Sequence, residues 1–591
     1  MARRVSTPQY IMNKRFAQYL FAATLLAAAP APILNFTAEA SAVTKQADSY
    51  KAMLNVFVYD ANNKLLGSGN GFFISADGTA VSQYALFRNA SRAEVVDSKG
   101  TRYDVSRILG ASDSYDLVKF SVSGVKKCDF FHITTDSVAQ GAELSLATYT
   151  TNKKTTAAPV SVTSVENYDN YKYYGISAAN EKDYWARPLV DGQGNLVAIS
   201  QRNVGKEAKT SYAIDARFIN ELSIKPYSAL SRDLSGIKIP KALPTSPKEA
   251  LNYIYMLPAS DSVAVHTAYA DFISAYPDLA DGYIGRAALN CASGNYAAAD
   301  ADVRMALSKV EGATPNDSLT SADGVHFQYS NLMYRTLAQD PDSKAKDAGW
   351  SFEKACAEAE AAYAIKPYML YVDQQGKCLF AQKKYGEAYA KFKQATEDKQ
   401  YASSEIYYCA ARSLELAGGD STKVLALLDS AVTCIPQPVN ARNAQYYIER
   451  SQRLIRMNRF RDAVKDYNEY QKAVGSNNLT DQFYFLRYQA EMEAHMYQQA
   501  IDDIHTAIAH SSTPLVYRLE EAYALLRVSE FERAVETAQS VLKELPENPD
   551  CYKIIGIAYG ELGKKALAQQ NLQKAKALGD DTVDTFIQKY K

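Results

Sequence analysis

The sequence predicts an all-β domain followed by an all-α domain, and three observations support this. Residues 43–222 carry short runs of alternating apolar and polar residues separated by turns, which indicates a β-sandwich or barrel. Prolines cluster in residues 223–247, which predicts a linker. In residues 248–591 a helical pattern recurs at a nearly constant period, which predicts stacked helical repeats.

The strand prediction rests on runs in which every second residue is apolar. Met53–Val58 and Leu117–Val122 are examples, and successive side chains of a strand point to opposite faces of a sheet. Asp77-Gly78 and Lys99-Gly100 lie between such runs and favour tight turns. Many short strands joined by turns are typical of a closed or sandwiched all-β domain.

Residues 1–42 have the features of a secretion signal. Four basic residues precede the first acidic residue, Glu39, and an apolar stretch covers residues 16–34. Ala38–Ala42 then offers a small-residue cleavage site, so we expect cleavage near Ala42. The alternative is an uncleaved membrane anchor. Because no later run reaches the roughly 18 apolar residues that a span needs, we expect no integral span after cleavage and a periplasmic, secreted or envelope location.

Composition and motifs predict no cofactor and no metal. The formal net charge is −1, so no global positive field favours nucleic acid. The seven cysteines contain no C-x-x-C pair, and the sequence has no G-x-G-x-x-G, Walker A or H-E-x-x-H motif. We therefore expect free thiols, buried for the most part, rather than a disulfide framework or a metal site.

The proline-rich stretch is predicted to be extended and non-helical. Pro226, Pro240, Pro244 and Pro247 fall close together among serines and lysines. Proline fixes its own φ and disfavours the helical conformation of the residue before it. The stretch is therefore interpreted as a linker between the two domains.

Each helical repeat is marked by a small residue, a larger one four positions later and a small one three after that. Ala568, Leu572 and Ala575 form the clearest triplet. Consecutive triplets are 33–39 residues apart except for one gap of 56, which places an insertion near residues 310–345 and gives about eight repeats. The other triplets begin at Ala299, Ala355, Ala388, Val424, Ala463, Ala500 and Ala534.

The repeats resemble the tetratricopeptide repeat (TPR). In the last unit Tyr552, Ile555, Gly556 and Tyr559 precede Ala568 at the spacing of that family. The resemblance implies a superhelix with a concave face that binds peptides or proteins. The candidate partner-binding residues are the leading aromatic residues of four units and one tryptophan in the first domain: Tyr283, Tyr447, Tyr484, Tyr552 and Trp185.

The first domain resembles trypsin-like serine proteases of the bacterial high-temperature-requirement kind. The resemblance rests on Gly67–Gly78, which is similar to the family's first hairpin, and on Ser82–Leu86, which aligns with its T-N-x-H-V motif. Asp113–Val118 follows the pattern D-x-x-D-L, Asp183–Ile199 aligns with the nucleophile loop and the strand after it, and Ser211–Ile214 with the closing strand. The resemblance implies a trypsin-like double barrel.

The catalytic positions of that family carry other residues here. The histidine position falls on Ala85, the nucleophile on Trp185, and three loop glycines on Asp183, Ala186 and Arg187. A methyl group cannot accept the proton of a serine hydroxyl, and an indole cannot attack a carbonyl. Bulky residues in the loop also disfavour the backbone geometry of an oxyanion hole.

Two further residues of the first domain are expected to be structural. Asp116 lies at the position of the orienting aspartate, but without a histidine we expect an ordinary turn or surface residue. His132 is the only histidine in residues 43–247 and matches no motif. Trp185 is interpreted as core packing in the former cleft or as a partner contact.

The leading hypothesis is an exported non-catalytic scaffold whose TPR array binds a protein, a peptide or another copy of the chain. The pseudoprotease domain would bind extended polypeptide by strand addition. Two alternatives stay open. One is an active trypsin-like endopeptidase with an atypical catalytic constellation, and the other is a structural envelope assembly protein.

Overall fold

The computed structural model divides the chain into two compact units between Pro244 and Thr245. It describes residues 50–149, 155–168, 170–178, 185–201, 211–311 and 318–591. The predicted signal peptide, residues 1–42, lies outside the described residues, as does part of the predicted insertion, residues 312–317. No helix in these ranges is long and apolar enough to cross a membrane.

The first unit begins with a closed barrel of six antiparallel strands. Their order around the barrel is β1-β2-β3-β6-β5-β4, and β1 closes the ring by pairing with β4. Apolar side chains alternate into the interior, where the rings of Phe87 and Phe120 lie 5.2 Å apart. The strands are β1 Met53–Tyr59, β2 Leu65–Phe73, β3 Thr79–Gln83, β4 Arg92–Val96, β5 Arg102–Ser112 and β6 Leu117–Val122.

A second closed barrel repeats this topology. Its order is β7-β8-β9-β12-β11-β10, and β10 pairs with β7 to close it. Its core contains Leu146, Tyr174 and Ile176. The strands are β7 Glu143–Tyr149, β8 Thr155–Tyr168, β9 Tyr171–Ile176, β10 Pro188–Val190, β11 Leu196–Ser200 and β12 Ser211–Asp215.

The end of the first unit differs from the extended linker that was predicted. Pro226–Leu230 is a 3₁₀ helix and Arg232–Ser235 a one-turn α-helix. Ile237 and Ile239 are buried, and Ile108 of β5 forms a parallel bridge with Lys241. The prediction was wrong here because proline fits the first turn of a helix, where its missing N–H costs nothing.

The second unit is all-α, which confirms the predicted fold class of a β double barrel followed by a helical region. Several helices begin with a side-chain cap, such as Asn548, whose Oδ1 accepts from Cys551 N at 2.9 Å. Two short helices of the first unit, α1 Tyr84–Phe87 and α2 Arg232–Ser235, precede them. The helices of this unit are α3 Pro247–Met256, α4 Ser262–Ala275, α5 Ala280–Ala292, α6 Tyr296–Val310, α7 Ala322–Gln339, α8 Phe352–Ile365, α9 Met369–Ala381, α10 Tyr385–Glu397, α11 Ser404–Leu416, α12 Ser421–Thr433, α13 Gln445–Arg456, α14 Phe460–Val474, α15 Asp481–Glu493, α16 Tyr497–His510, α17 Leu515–Arg527, α18 Phe531–Leu542, α19 Pro549–Glu561, α20 Lys565–Ala577 and α21 Asp584–Lys589.

Neighbouring helices pack as pairs, and α4 carries the triplet spacing at Ala268, Phe272 and Ala275, upstream of the first predicted triplet at Ala299. Tyr269 and Phe272 of α4 are large, and the space for them comes from glycines of α5. A Cβ atom at Gly285 would lie 2.2 Å from the ring of Tyr269, and one at Gly282 would lie 2.7 Å from Phe272. Glycine at these two positions therefore lets α5 approach α4 closely.

An arginine of the first helix also binds an aspartate of the second in three pairs, always 16 residues later. Arg487 of α15 binds Asp503 of α16 through Nε and Nη2 at 2.6 and 2.7 Å. This planar two-bond geometry fixes the register of the two helices. The other two pairs are Arg286–Asp302 and Arg450–Asp466.

Helix α7, which lies within the predicted insertion, is held to its neighbours by charged side chains. Asp300 of α6 accepts from Tyr329 Oη of α7, and the same carboxylate accepts from Lys354 Nζ of α8 at 3.1 Å. His326 of α7 lies between two carboxylates, with Nδ1 2.6 Å from Glu358 and Nε2 3.2 Å from Glu311. The hydrogen bond to Glu358 and the two negative charges raise the pKa of His326.

We predict that Gly285→Ala lowers the stability of the helical unit by about 1–3 kcal/mol, because the added methyl group overlaps the Tyr269 ring. Gly386→Ala is the matched control. A Cβ there meets no atom within 4 Å, so alanine should stabilise α10 by about 0.5–1 kcal/mol. Urea unfolding followed by the helical circular dichroism signal measures both. Equal effects of the two substitutions would contradict the packing argument.

We also predict a pH-dependent contribution of His326. Its folded-state pKa lies above the ordinary 6.5, so the stabilisation is complete below pH 6.5 and is lost as the pH rises through the folded-state value. His326→Gln should therefore cost about 1–2 kcal/mol at acidic pH and less at alkaline pH. His505→Gln, at a more exposed pair with Glu521, should change little. A pH-independent effect of His326→Gln in thermal unfolding would refute this assignment.

Candidate functional site

Asp116 stands at the start of β6, and its carboxylate binds the backbone at the predicted histidine position. Oδ1 accepts from Ala85 N at 2.7 Å, and Oδ2 accepts from Gln83 Nε2 at 2.8 Å. The side chain is 5% exposed, and the residue has a φ of 51°. Aspartate tolerates this left-handed backbone better than most residues. Asp116 therefore lies in a turn, as expected, but it is buried and not at the surface.

The first and last residues of α1, the one-turn helix that contains Ala85, are both held in place. Tyr84 N donates to Asp116 O at 3.0 Å, and Tyr84 Oη donates to Asp233 O at 2.9 Å. Phe87 is fully buried in the barrel core. Because α1 has a single turn, its first N–H groups have no acceptor within the helix. Asp116 accepts from two of them, from Tyr84 N through its carbonyl oxygen and from Ala85 N through its carboxylate.

The predicted nucleophile position lies at the edge of a described segment. Trp185 is half-buried, and Asp183, at a predicted glycine position, lies outside the described residues. Ala186 has a φ of 53°, and its N–H donates to Ser200 O at 2.9 Å. A left-handed residue next to Trp185 is a conformation that glycine would adopt without strain.

Arg187 connects the two barrels beside this loop. Its N–H donates to Ser200 Oγ at 2.9 Å, and its Nη1 donates to Asn70 Oδ1 of β2 at 2.5 Å. Although cationic, the residue is only 6% exposed. A buried guanidinium needs such partners. The sequence marked Arg187 only as a lost glycine, yet a long cation in place of glycine was a signal that it binds something nearby.

The structure brings Ala85, Asp116 and Gln83 together and gives His132 a different environment. His132 is exposed, its ring lies 4.5 Å from that of Phe130, and its carbonyl oxygen accepts from Leu196 N at 2.7 Å. Gln83 was not singled out from the sequence, since nothing in its neighbourhood showed that it faces a carboxylate. Of the alanine methyl, the carboxylate and the amide, only the Asp116 carboxylate could accept a proton, and both of its oxygens already accept hydrogen bonds from Ala85 N and Gln83 Nε2.

Three of the four tyrosines proposed as partner contacts have side-chain contacts within the array. Tyr283 and Tyr552 donate to the carbonyl oxygens of Pro277 and Pro546, six residues earlier, at 3.1 and 2.9 Å. These bonds close the loop before each helix. Tyr484 is 4% exposed and packs edge-on against Phe483, which leaves little of its ring for a partner.

Tyr447, the fourth of these tyrosines, is half-buried, and burial raises its pKa. Packing is therefore the better supported role for the tyrosines as a group.

Within the described ranges no cluster of histidine, cysteine and acidic side chains is arranged to hold a metal ion. The seven cysteines are free thiols, and Cys434 is exposed, unlike the buried thiols that were expected.

No protein-family profile and no curated protein matches the chain. Solved structures of proteases, among them HtrA-type proteases, align with about a third of the chain. The inactive form of the Rv3671c protease of M. tuberculosis aligns at 16% identity and a TM-score of 0.26, over 33% of this chain and 97% of that one.

Two other bacterial structures align over a similar share of the chain. A serine endoprotease of Yersinia pestis aligns at 14% identity and a TM-score of 0.27, over 32% of this chain and 66% of its own. The HtrA-type protease AlgW with a tripeptide aligns at 16% identity and a TM-score of 0.27, over 31% of this chain and 61% of its own.

We predict that Asp116→Ala destabilises the first barrel by about 1–3 kcal/mol, because it leaves the part-buried Ala85 N–H without its acceptor. Asp116→Asn should cost less, since an amide keeps one acceptor oxygen and tolerates the left-handed backbone. Asp113→Ala removes only a surface pair with Arg88 and should stay within about 0.5 kcal/mol of the natural protein.

Native-state hydrogen exchange of peptides from residues 50–122 resolves these effects from those in the helical unit. Unchanged protection in Asp116→Ala would show that the carboxylate does not hold α1.

Proposed function

We propose that the chain is an exported, non-catalytic scaffold in which a protease-like double barrel is joined to a TPR array that binds a protein or peptide partner. The non-catalytic role of the double barrel is supported above all by the hydrogen bonds of the Asp116 carboxylate. Its carboxylate binds Ala85 N–H and the Gln83 amide, where a serine protease needs an imidazole between carboxylate and hydroxyl.

The loop at the nucleophile position supports the same proposal. Trp185 supplies no nucleophilic oxygen, and Arg187 extends from this loop to Asn70 on the other barrel. The residues at the base and nucleophile positions, Ala85 and Trp185, and the loop that follows Trp185 are therefore all unsuited to acyl transfer. The loss of several triad members leaves only the residual catalysis that binding and an oxyanion hole supply.

The second half of the proposal rests on the stacked helix pairs. Stacking of such units forms an extended surface that can bind a polypeptide along several repeats. The buried Arg–Asp pairs and the size-matched helix faces give that surface a fixed shape, and a preorganised surface loses less entropy when a partner binds.

We expect the purified chain to leave casein intact and to show no covalent labelling by serine-directed phosphonates, with trypsin as the positive control. Labelling of any serine in residues 43–222 would show an active site and end the proposal of a pseudoprotease.

The partner binding proposed for the TPR array is tested by cross-linking the full chain in native envelope extract. Cross-linked partners should map to residues 248–591. Cross-links confined to the first unit would overturn the assignment of recognition to the helices. Stable oligomers that form without any captured partner would instead favour a structural assembly protein.

A further inference from the structure

Three arginines of two neighbouring helices converge on a single carboxylate. Glu415, near the end of α11, accepts from Arg453 Nη1 at 3.2 Å and from Arg456 Nη1 at 2.5 Å, both on α13. Its other oxygen accepts from Arg412 of α11. Bonds from two helices to one acceptor fix the three guanidinium groups as a set, which is called the arginine cluster below.

The arginine cluster carries more positive charge than its surroundings neutralise. The cavity beneath it is lined by Glu449 besides Glu415, so three cations face two carboxylates. Each guanidinium has five N–H donors, far more than one carboxylate can accept. The Nε–H of Arg453 is buried and has no hydrogen-bond partner among the described residues. The cluster therefore has both unused donors and unneutralised charge.

The three side chains differ in their access to solvent. Arg453 is 11% exposed at the base, whereas Arg412 is 37% and Arg456 56% exposed at the mouth. The cavity beneath holds about 20 Å³, room for about one water molecule. An anion therefore has to bind at the mouth, against Arg412 and Arg456, while Glu415 keeps their guanidinium groups in place.

We propose that the arginine cluster binds carboxylate side chains of an acidic polypeptide segment. This rests on the proposed function, since it names the chemistry of the partner that the array would bind. An open mouth on a helical surface suits a side chain presented by a chain better than a small anion, which needs an enclosing site. Glu415 is a positioning residue, and Arg412 and Arg456 supply the contacts.

The test uses the full chain and a fluorescein-labelled, N-acetylated and C-amidated hexaglutamate peptide, with the hexaglutamine peptide as the neutral probe. Fluorescence anisotropy should show binding of hexaglutamate alone, and binding should weaken between about 50 and 150 mM salt. Arg412→Gln with Arg456→Gln should raise the Kd by about tenfold or more.

The matched control is Lys465→Gln with Lys472→Gln on α14. It removes the same charge from two exposed side chains and should raise the Kd by less than about twofold. Circular dichroism melting checks that each double variant folds. If the arginine variant does not fold, Arg456→Gln alone carries the test, because that side chain is more than half exposed.

Three results would overturn the proposal: no binding of hexaglutamate at about 1 mM protein, equal weakening by the arginine and lysine variants, or complete displacement by about 10 mM inorganic phosphate, which would indicate a site for small oxyanions. These outcomes are separable from failure of the proposed function. Partners that still cross-link to the array of the arginine variant would leave the scaffold proposal standing and remove only this site.

Discussion

The hydrogen bond from Ala85 N to the Asp116 carboxylate is the contact on which the interpretation of the first unit depends. It caps a helix of one turn, fixes the start of β6 next to the end of β3, and uses the group that would otherwise orient a base. A buried carboxylate is tolerated only where it is hydrogen-bonded. Asp116 meets this requirement through Ala85 and Gln83, so its presence has a structural reason that needs no catalysis.

In the helical unit the corresponding constraint is the close approach of paired helices. At several contacts between successive helices one presents a glycine where the other presents a large ring, as at Gly285 and Tyr269 and at Gly376 and Phe392. Size matching fixes the distance between the helices, and the recurring Arg–Asp pair fixes their register. Because packing density in cores is high, such an interface has few alternatives. This rigidity lets exposed side chains such as Arg412 and Arg456 keep a defined arrangement.

The sequence predicted the fold class because periodicity is a local property. Alternation in β1 and β6 and the triplets of the second helices are visible in single segments. What could not be predicted depended on partners distant in sequence. The folded end of the first unit was not predicted, because Ile237 and Ile239 are buried and the backbone of residues 238–242 bonds to the distant Ala90 and Ile108. Similarly, nothing local to Gln83 showed that it binds Asp116, and the arginine at position 187 did not by itself identify Asn70 as its partner. In α4, by contrast, the triplet spacing is visible in the sequence at Ala268, Phe272 and Ala275.

The residues at the proposed degenerate site depend on one another, so a return to catalysis is more than one substitution away. A histidine at position 85 would need an oxygen of Asp116, but one oxygen binds the backbone and the other the Gln83 amide. A serine at position 185 would stand in a loop whose next residues are a left-handed alanine and an arginine bonded to the other barrel. Asp116 and Arg187 both make hydrogen bonds that hold the barrels. If the site is non-catalytic as proposed, a change toward catalysis would first lose one of these structural bonds.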